Sequence, residues 1–208
     1  MMTARILSPV LTLGPGRRIA VWVCGCKRRC IGCANPELWA FDSSKEISVE
    51  QLEQLIRSMS VHSETDGITI TGGEPFDQPG ELAALVRVLH KITGDILVYT
   101  GYTLAELNEM QDNAVIETLS RIAALIDGRY IEERNNGVRL RGSDNQVIHI
   151  LNECYRNIYQ SEIDEGKNEI QNFPVDGGVI SVGIHKKGFR KELEKGLTGF
   201  GLEKIQND

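Results

Sequence analysis

The residues most able to do chemistry in this sequence are four cysteines that lie within ten positions of one another. They are Cys24, Cys26, Cys30 and Cys33, while a fifth cysteine, Cys154, stands alone. In 208 residues with five cysteines, the spacing C-x3-C-x2-C arises by chance only roughly 0.003 times. Cysteines clustered in this way indicate metal or redox chemistry rather than disulfide bonds.

Three of these cysteines, Cys26, Cys30 and Cys33, have a spacing that suits a wrapped metal cluster. A short loop presents three sulfurs to three corners of a cluster at little cost in loop closure. A fully ligated cluster needs four cysteines, so three leave one iron open to a substrate. The alternative is a structural zinc site with Cys24 as the fourth thiolate ligand. Without that role, we expect Cys24 to be a small buried residue.

Short apolar strands should deliver the chain to this loop and to two further turns. We predict strands at 18–23, 67–71 and 96–100, each followed by a helix. Capping boxes at Ser48 and Thr103 indicate where the first and third of these helices begin. Each strand is followed by unusual residues, namely the cysteines, Gly72-Gly73-Glu74-Pro75 and Thr100-Gly101-Tyr102. Alternating strands and helices with short connections predict an α/β fold around a parallel sheet. In such sheets the functional residues lie at the carboxyl ends of the strands, so we expect these turns to converge on one rim.

Composition and charge exclude several other classes of protein. The chain is 41% hydrophobic and 25% charged, values typical of globular proteins rather than disordered or fibrous ones. A net charge of −6 provides no broad basic surface for nucleic acid or an anionic membrane. The apolar runs are short and the first residues lack a signal-peptide core, which predicts a cytoplasmic protein.

The pattern of elements changes after about residue 151, which predicts two parts of the chain. We predict a main domain at 1–152 and a C-terminal extension at 153–208. Within the extension, the polar stretch at about 160–172 is expected to be a linker. A short strand at 178–184 and a short helix at 189–197 should follow it.

Several segments in order resemble the radical S-adenosylmethionine (SAM) superfamily, and within it the activating proteins of anaerobic ribonucleoside-triphosphate reductase. The resemblance covers about residues 12–152. It rests on the C-x3-C-x2-C loop and on Gly14-Pro15-Gly16-Arg17-Arg18, Asn35-Pro36-Glu37-Leu38-Trp39, Thr71-Gly72-Gly73-Glu74-Pro75, Val98-Tyr99-Thr100-Gly101-Tyr102, Ile126-Asp127-Gly128-Arg129-Tyr130 and Arg141-Gly142-Ser143-Asp144-Asn145-Gln146.

This resemblance implies a partial (β/α) TIM-like barrel of radical SAM type and an iron–sulfur enzyme. Cys26, Cys30 and Cys33 would ligate a [4Fe-4S] cluster and act as the catalytic residues, with the open iron binding SAM. The enzyme would cleave SAM reductively to a 5′-deoxyadenosyl radical and generate a glycyl radical on a partner, the anaerobic reductase. Its electron donor would be of flavodoxin or ferredoxin type. No nucleic-acid or membrane partner is implied.

The SAM-binding residues are then expected around the loop and the neighbouring strand ends. Gly72 and Gly73 would let the backbone approach the ligand closely, and Glu74 would offer an anion to the amino group of its methionine part. The other predicted SAM-binding residues are Gly32, Ala34, Thr100, Gly101 and Asn145. Ile31 occupies a position that is often aromatic in the superfamily, which predicts aliphatic packing against adenine.

Two alternatives remain open from the sequence. One is a radical SAM enzyme that modifies a small molecule or peptide, with the C-terminal extension closing over the substrate. The other is a non-catalytic zinc or iron–sulfur binding module. The basic run Lys27-Arg28-Arg29 is likewise either a solvated face or a docking site for an acidic electron donor or the partner enzyme.

Overall fold

A six-stranded mixed sheet forms the centre of the protein in the computed structural model, which describes residues 1–176 and 178–199. The strands lie side by side in chain order: β1 (Thr3–Val10), β2 (Arg18–Val23), β3 (Gly67–Gly72), β4 (Ile96–Tyr99), β5 (Ala124–Asp127) and β6 (Val147–Ile150). β2 to β5 are parallel, and the two edge strands pair antiparallel. The predicted α/β class is confirmed. Within the described residues β1 and β6 do not pair, so the sheet is open.

Helices cover one face of this sheet. They are α1 (Val49–His62), α2 (Pro79–Leu89), α3 (Leu104–Glu109) and α4 (Asn113–Arg121). The predicted capping boxes at Ser48 and Thr103 are both present, and they fix where α1 and α3 begin. Alternate residues of β2, such as Ile19 and Val21, pack with apolar side chains of α1 and α2 in the main core.

The C-terminal residues cover parts of the opposite face. They form α5 (Arg156–Glu165), β7 (Ile170–Val175), β8 (Gly178–Gly183) and α6 (Phe189–Gly199), with β7 and β8 paired as a hairpin. Val182 of the hairpin is 3% exposed and packs in one cluster with Ala20 and Trp22 of β2. Tyr159 of α5 packs in another cluster with Leu97 and neighbouring residues of β4 and β5.

The predicted linker at about 160–172 is wrong for most of its length, because 160–165 is helical and β7 starts at Ile170. The composition of this stretch is polar, but the helix is anchored through its buried Tyr159. The strand and helix predicted after the linker are present as β8 and α6. The division of the chain at residue 152 stays a prediction.

A buried ion pair ties α5 to the amino-terminal ends of the parallel strands. The Arg18 guanidinium is fully buried and donates to the carboxylate of Asp95, at 3.0 Å to Oδ2, and to Oγ1 of Thr69 at 2.6 Å. The hydroxyl of Tyr159 donates to Oδ1 of Asp95 at 2.6 Å. Full hydrogen bonding offsets the cost of burying these charges. This network lies at the opposite ends of the strands from the cysteine loop, which follows β2.

No helix within the described residues is long and apolar enough to cross a membrane.

Candidate functional site

The three predicted turns converge on one cavity of about 620 Å³ at the carboxyl ends of the parallel strands. Such a volume suits a ligand of cofactor size. The cavity contains ten of the eleven predicted site residues: Cys26, Cys30, Gly32, Cys33, Ala34, Gly72, Gly73, Glu74, Thr100 and Gly101. Asn145 does not line it. The Asn145 side chain instead donates to the carbonyl oxygen of Arg129 at 2.8 Å, while the neighbouring Gln146 lines the cavity.

Backbone hydrogen bonds hold the cysteine loop at both ends. The N–H of Gly25 donates to the Leu38 carbonyl at 2.9 Å, and the N–H of Cys26 donates to the Trp39 carbonyl at 3.0 Å. The loop therefore leaves β2 and returns beside its own starting point. Cys26, Cys30 and Cys33 of the closed loop all line the cavity.

The chemistry of the three thiols suits ligation of an iron–sulfur cluster. All three are free and partly exposed, and they line the same cavity. Burial raises the pKa of Cys26 and Cys33. Backbone N–H groups of Arg28 and Arg29 beside Cys26, and of Asn35 beside Cys33, oppose this rise. Such donors stabilise thiolate sulfur, the form that binds iron.

The three thiols line one cavity, where each could bind a separate iron of a cluster. Within the described parts of the chain, no three His, Cys, Asp or Glu side chains are placed to hold one ion. In an iron–sulfur cluster each cysteine binds a different iron, so the three thiols do not need to meet at one point. Cys24 is 1% exposed and packs in the core with Trp22 and Leu38, as expected of a small buried residue. It does not line the cavity, so the structure gives no support to a four-thiolate zinc site that uses it.

Gly72 and Gly73 have a structural role at the end of β3. A Cβ on Gly72 would lie 2.4 Å from the carbonyl oxygen of Val23, and one on Gly73 would lie 2.4 Å from that of Gly25. Gly72 also has a φ of +114°, a conformation that favours glycine. The N–H of Gly73 donates to Val23 at 2.7 Å. The missing side chains therefore let β3 and the start of the cysteine loop approach each other.

Glu74 is a buried carboxylate whose position is fixed by the end of β4. Its Oε1 accepts a hydrogen bond from the Thr100 hydroxyl at 2.7 Å, and its Oε2 accepts one from the Gly101 N–H at 2.7 Å. A third donor is the N–H of Phe76, at 3.0 Å to Oε1. The side chain thus crosses from β3 to β4 and holds an acceptor at the cavity wall.

Burial raises the pKa of Glu74 from its ordinary value of 4.5 to about 7. The three hydrogen bonds from Gly101, Thr100 and Phe76 oppose this rise, and the nearby Asp77 carboxylate adds to it. A carboxyl group with a pKa near neutrality in a cavity is a frequent mark of a functional site. A cationic ligand beside Glu74 would favour its ionised form.

Arg28, from the basic run in the cysteine loop, belongs to the cavity wall and is not part of a solvated face. Its guanidinium carbon lies 3.7 Å from the centroid of the Tyr102 ring, and its Nη2 lies 3.7 Å from the Glu106 carboxylate. The Tyr102 hydroxyl donates to Asp77 at 2.9 Å. Because these contacts hold Arg28 against the turn after β4, the cysteine loop and that turn form one continuous wall.

A further wall of the cavity comes from C-terminal residues that sequence reasoning did not identify as site residues. Residues 179–189, from β8 to the start of α6, line the cavity together with Lys191 and Leu193. Sequence reasoning also placed Ile31 against adenine, whereas this side chain is 80% exposed and does not line the cavity. No local sequence signal marks residues 179–189 as part of the site, since they reach it only through long-range packing.

Comparison with known proteins finds one matching family model and several similar proteins. Residues 12–149 match the family model for 4Fe-4S single cluster domains. The chain is similar to anaerobic ribonucleoside-triphosphate reductase-activating proteins of Vibrio cholerae and Salmonella typhimurium. Both are 34% identical to it, over 143 residues (65% of this chain and 89% of that protein) and 146 residues (66% and 91%) respectively. The protein of this name from Enterobacteria phage T4 is 29% identical over 140 residues, 65% of this chain and 85% of that protein. The match to the family model ends before α5, so the C-terminal wall of the cavity lies beyond it.

Proposed function

Because this chain belongs to the family of anaerobic ribonucleoside-triphosphate reductase-activating proteins, we propose that it generates the glycyl radical of an anaerobic ribonucleoside-triphosphate reductase. It is an iron–sulfur enzyme of radical SAM type. The observation that carries the proposal is the cavity itself. Three free thiols at C-x3-C-x2-C spacing and the buried carboxylate of Glu74 line one space of about 620 Å³.

The cysteines and the neighbouring backbone hold the iron–sulfur cluster. Cys26, Cys30 and Cys33 are its ligands, which leaves one iron without a protein ligand for SAM. When bound and reduced, the [4Fe-4S] cluster supplies the electron that splits SAM into methionine and a 5′-deoxyadenosyl radical, which takes a hydrogen atom from a glycine Cα. The protein contributes binding, orientation and the exclusion of side reactions.

Glu74 orients the amino end of SAM beside the cluster. Its Oε1 accepts two hydrogen bonds, from Thr100 and Phe76, but its Oε2 accepts only one, from Gly101, so Oε2 keeps a free lone pair for a ligand. Thr100 and Gly101 also form the cavity wall at the end of β4, next to Glu74. Gly32 and Ala34 flank Cys33 and add no bulk there. These assignments are part of the proposal.

The fold type, the division into domains, the cellular location and the electron donor are proposed by analogy with radical SAM enzymes. The open six-stranded sheet is the partial barrel of radical SAM enzymes, with residues 1–152 as the radical SAM domain and 153–208 as its extension. The protein works in the cytoplasm and receives electrons from a flavodoxin or ferredoxin. Parallel strands β2 to β5 with functional turns at their carboxyl ends support this assignment.

Anaerobic reconstitution with iron and sulfide tests the cluster and its ligands. The protein should take up a [4Fe-4S] cluster and, when reduced with SAM present, release 5′-deoxyadenosine. Alanine variants of Cys26, Cys30 and Cys33 should each lose both properties. Cys154→Ala is the matched control, because this cysteine is exposed and does not line the cavity. Release of 5′-deoxyadenosine by all three ligand variants would contradict the proposal.

The partner is tested by electron paramagnetic resonance. A glycyl radical signal should appear when the reduced enzyme and SAM are mixed with an anaerobic ribonucleoside-triphosphate reductase from the same organism. One observation favours a second candidate, a radical SAM enzyme for a small molecule or peptide: residues 179–189 wall the cavity from within the chain. Release of 5′-deoxyadenosine that never transfers a radical to the reductase, and that instead responds to a metabolite, would favour that candidate.

A further inference from the structure

Two aromatic rings in the C-terminal wall of the cavity form a stacked pair. The rings of His185 and Phe189 have centroids 4.4 Å apart and an angle of 13° between their planes. Both residues are half-buried and line the cavity that also contains Glu74 and the three loop cysteines. A nearly parallel pair of this kind presents a flat apolar surface, on which a further planar ring can stack.

Hydrogen bonds fix the position of His185. Its Nε2 lies 3.1 Å from the Ser181 hydroxyl, and its carbonyl oxygen accepts a hydrogen bond from the Asn135 side chain at 2.9 Å. The Asn135 amide also donates to the Tyr130 hydroxyl at 3.1 Å, which connects His185 to the segment after β5. Burial lowers the pKa of His185, so its ring is neutral at pH 7. The ring is therefore held in place and uncharged.

The hairpin that precedes this pair is anchored to the sheet. The Val182 carbonyl accepts a hydrogen bond from the Thr12 hydroxyl at 3.2 Å. The Gln171 side chain accepts from the Leu11 N–H at 2.9 Å and donates to the Pro9 carbonyl at 2.8 Å. Together with the burial of Val182, these contacts make the C-terminal wall a packed part of the protein.

The remainder of the cavity provides for the amino end and the sulfonium of SAM but leaves its adenine without the expected contact. Glu74 and the cysteine loop lie at the ends of β3 and β2. Ile31, the position in the loop where a contact to adenine was expected, is 80% exposed and outside the cavity. Trp22 is covered on one side by the Arg5 guanidinium, 5.4 Å from its ring centroid. Within the described residues, the only stacked aromatic pair is that of His185 and Phe189.

We propose that the C-terminal extension completes the SAM site and that His185 and Phe189 form the surface on which the adenine ring stacks. This inference rests on the proposed function, because it assumes that SAM occupies the cavity. It assigns residues beyond the region that matches the family model to the binding of the ligand. Stacking of a base on an aromatic side chain contributes a measurable part of the binding affinity.

The experiment compares two sulfonium ligands that differ only in the adenosyl group. Affinities of the cluster-loaded, oxidised enzyme for SAM and for S-methylmethionine are measured anaerobically by calorimetry. Phe189→Leu keeps an apolar side chain but removes the flat ring, and it should weaken SAM binding about tenfold. Binding of S-methylmethionine should change less than twofold. His185→Gln, which keeps a polar partner for Ser181, should show the same selective loss.

The matched control is Phe173→Leu. Phe173 lies on β7 of the hairpin that precedes Phe189, packs against the sheet with Val182 and does not line the cavity. It should leave the affinity for SAM within twofold of the unmodified protein. Phe189→Tyr should bind SAM as tightly as the unmodified protein does, because tyrosine keeps an aromatic ring on which adenine can stack. Circular dichroism of each variant identifies any that do not fold.

Three results would overturn the inference. Unchanged SAM affinity in folded Phe189→Leu and His185→Gln would show that the rings do not contact the adenine. Equal losses for SAM and S-methylmethionine would mean that the extension only maintains the shape of the cavity. No binding of SAM by the unmodified, cluster-loaded protein would refute the proposed function as well, whereas the first two results leave it intact.

Discussion

The raised pKa of Glu74 predicts how SAM affinity depends on pH. We propose that Glu74 receives the amino group of SAM only when ionised, and its pKa without ligand is about 7. The apparent dissociation constant is then inversely proportional to the fraction of Glu74 that is ionised. This fraction is about one tenth at pH 6 and about nine tenths at pH 8. Affinity should therefore weaken about tenfold between pH 8 and pH 6.

The Glu74→Gln variant isolates this effect from other titrations. SAM has ionisable groups of its own, but they contribute equally to binding by both proteins. The quantity to measure is the ratio of the two dissociation constants, by anaerobic calorimetry at half-unit steps from pH 5.5 to 8.5. The ratio should change about tenfold from pH 6 to pH 8 and level off above pH 8. The groups around the carboxylate are Asp77, which raises its pKa, and the donors on Thr100, Gly101 and Phe76, which lower it.

The same shift has a consequence for the stability of the protein without SAM. Because the folded pKa is raised, the unfolded chain loses its proton first as pH rises above 4.5. Stability contributed by the protonated Glu74 is therefore lost between pH 4.5 and about 7, and the loss amounts to about 3 kcal/mol. The difference in unfolding free energy between Glu74→Gln and the unmodified protein should increase by this amount from pH 4 to pH 8.

A ratio of dissociation constants that stays constant between pH 6 and pH 8 would refute this reasoning. Such a result would mean either that Glu74 is ionised throughout this range or that SAM does not meet it. The stability measurement separates these cases. A pH-independent stability difference would show that the carboxyl group has an ordinary pKa, whereas a difference that rises as expected would show that SAM binds elsewhere.

Three further predictions follow from contacts around the site. Thr100→Val removes a donor to Glu74, so it should move the midpoint of the affinity profile to higher pH by about one pH unit, measured by the same titrations. Gly73→Ala places a Cβ 2.4 Å from a backbone oxygen and should destabilise the protein by about 2–3 kcal/mol in chemical denaturation. Its control is Gly80→Ala, whose Cβ would meet nothing within 4 Å and which should stabilise the protein by about 0.5 kcal/mol. Asp95→Asn removes the charged partner of a fully buried guanidinium and should cost about 3–5 kcal/mol of unfolding free energy; a loss below 1 kcal/mol would mean that this ion pair is not needed for the fold.

Local signals in the sequence were sufficient to predict the elements that carry the site. β2, β3 and β4 are short apolar runs that end in glycine or polar residues, and α1 and α3 begin at complete capping boxes. These features depend on neighbours within a few residues. The convergence of the turns then follows from the parallel arrangement of the strands, which the alternating pattern predicts.

Features that depend on distant contacts were predicted less well. Glycine at positions 72 and 73 is conspicuous in the sequence, but only the structure shows that Val23 and Gly25 occupy the space beside it. Likewise, the second half of α5, residues 160–165, falls in the predicted linker because its sequence is polar. The contact that anchors the helix joins Tyr159 to Asp95, 64 residues away. A sequence pattern records which residues are apolar, but it does not record what will lie against them.

The two faces of β2 explain why the C-terminal extension is part of the core. All six residues of β2 are buried, with Ile19, Val21 and Val23 on the face covered by helices and Ala20 and Trp22 on the other. A parallel strand that is apolar on both faces needs cover on both. In this chain β7 and β8 provide part of the second cover, and residues 179–189 consequently wall the cavity that contains the cysteines. On the proposed function, a glycine of the partner enzyme has to reach the cavity past this wall, so the extension would affect both ligand binding and access for the partner.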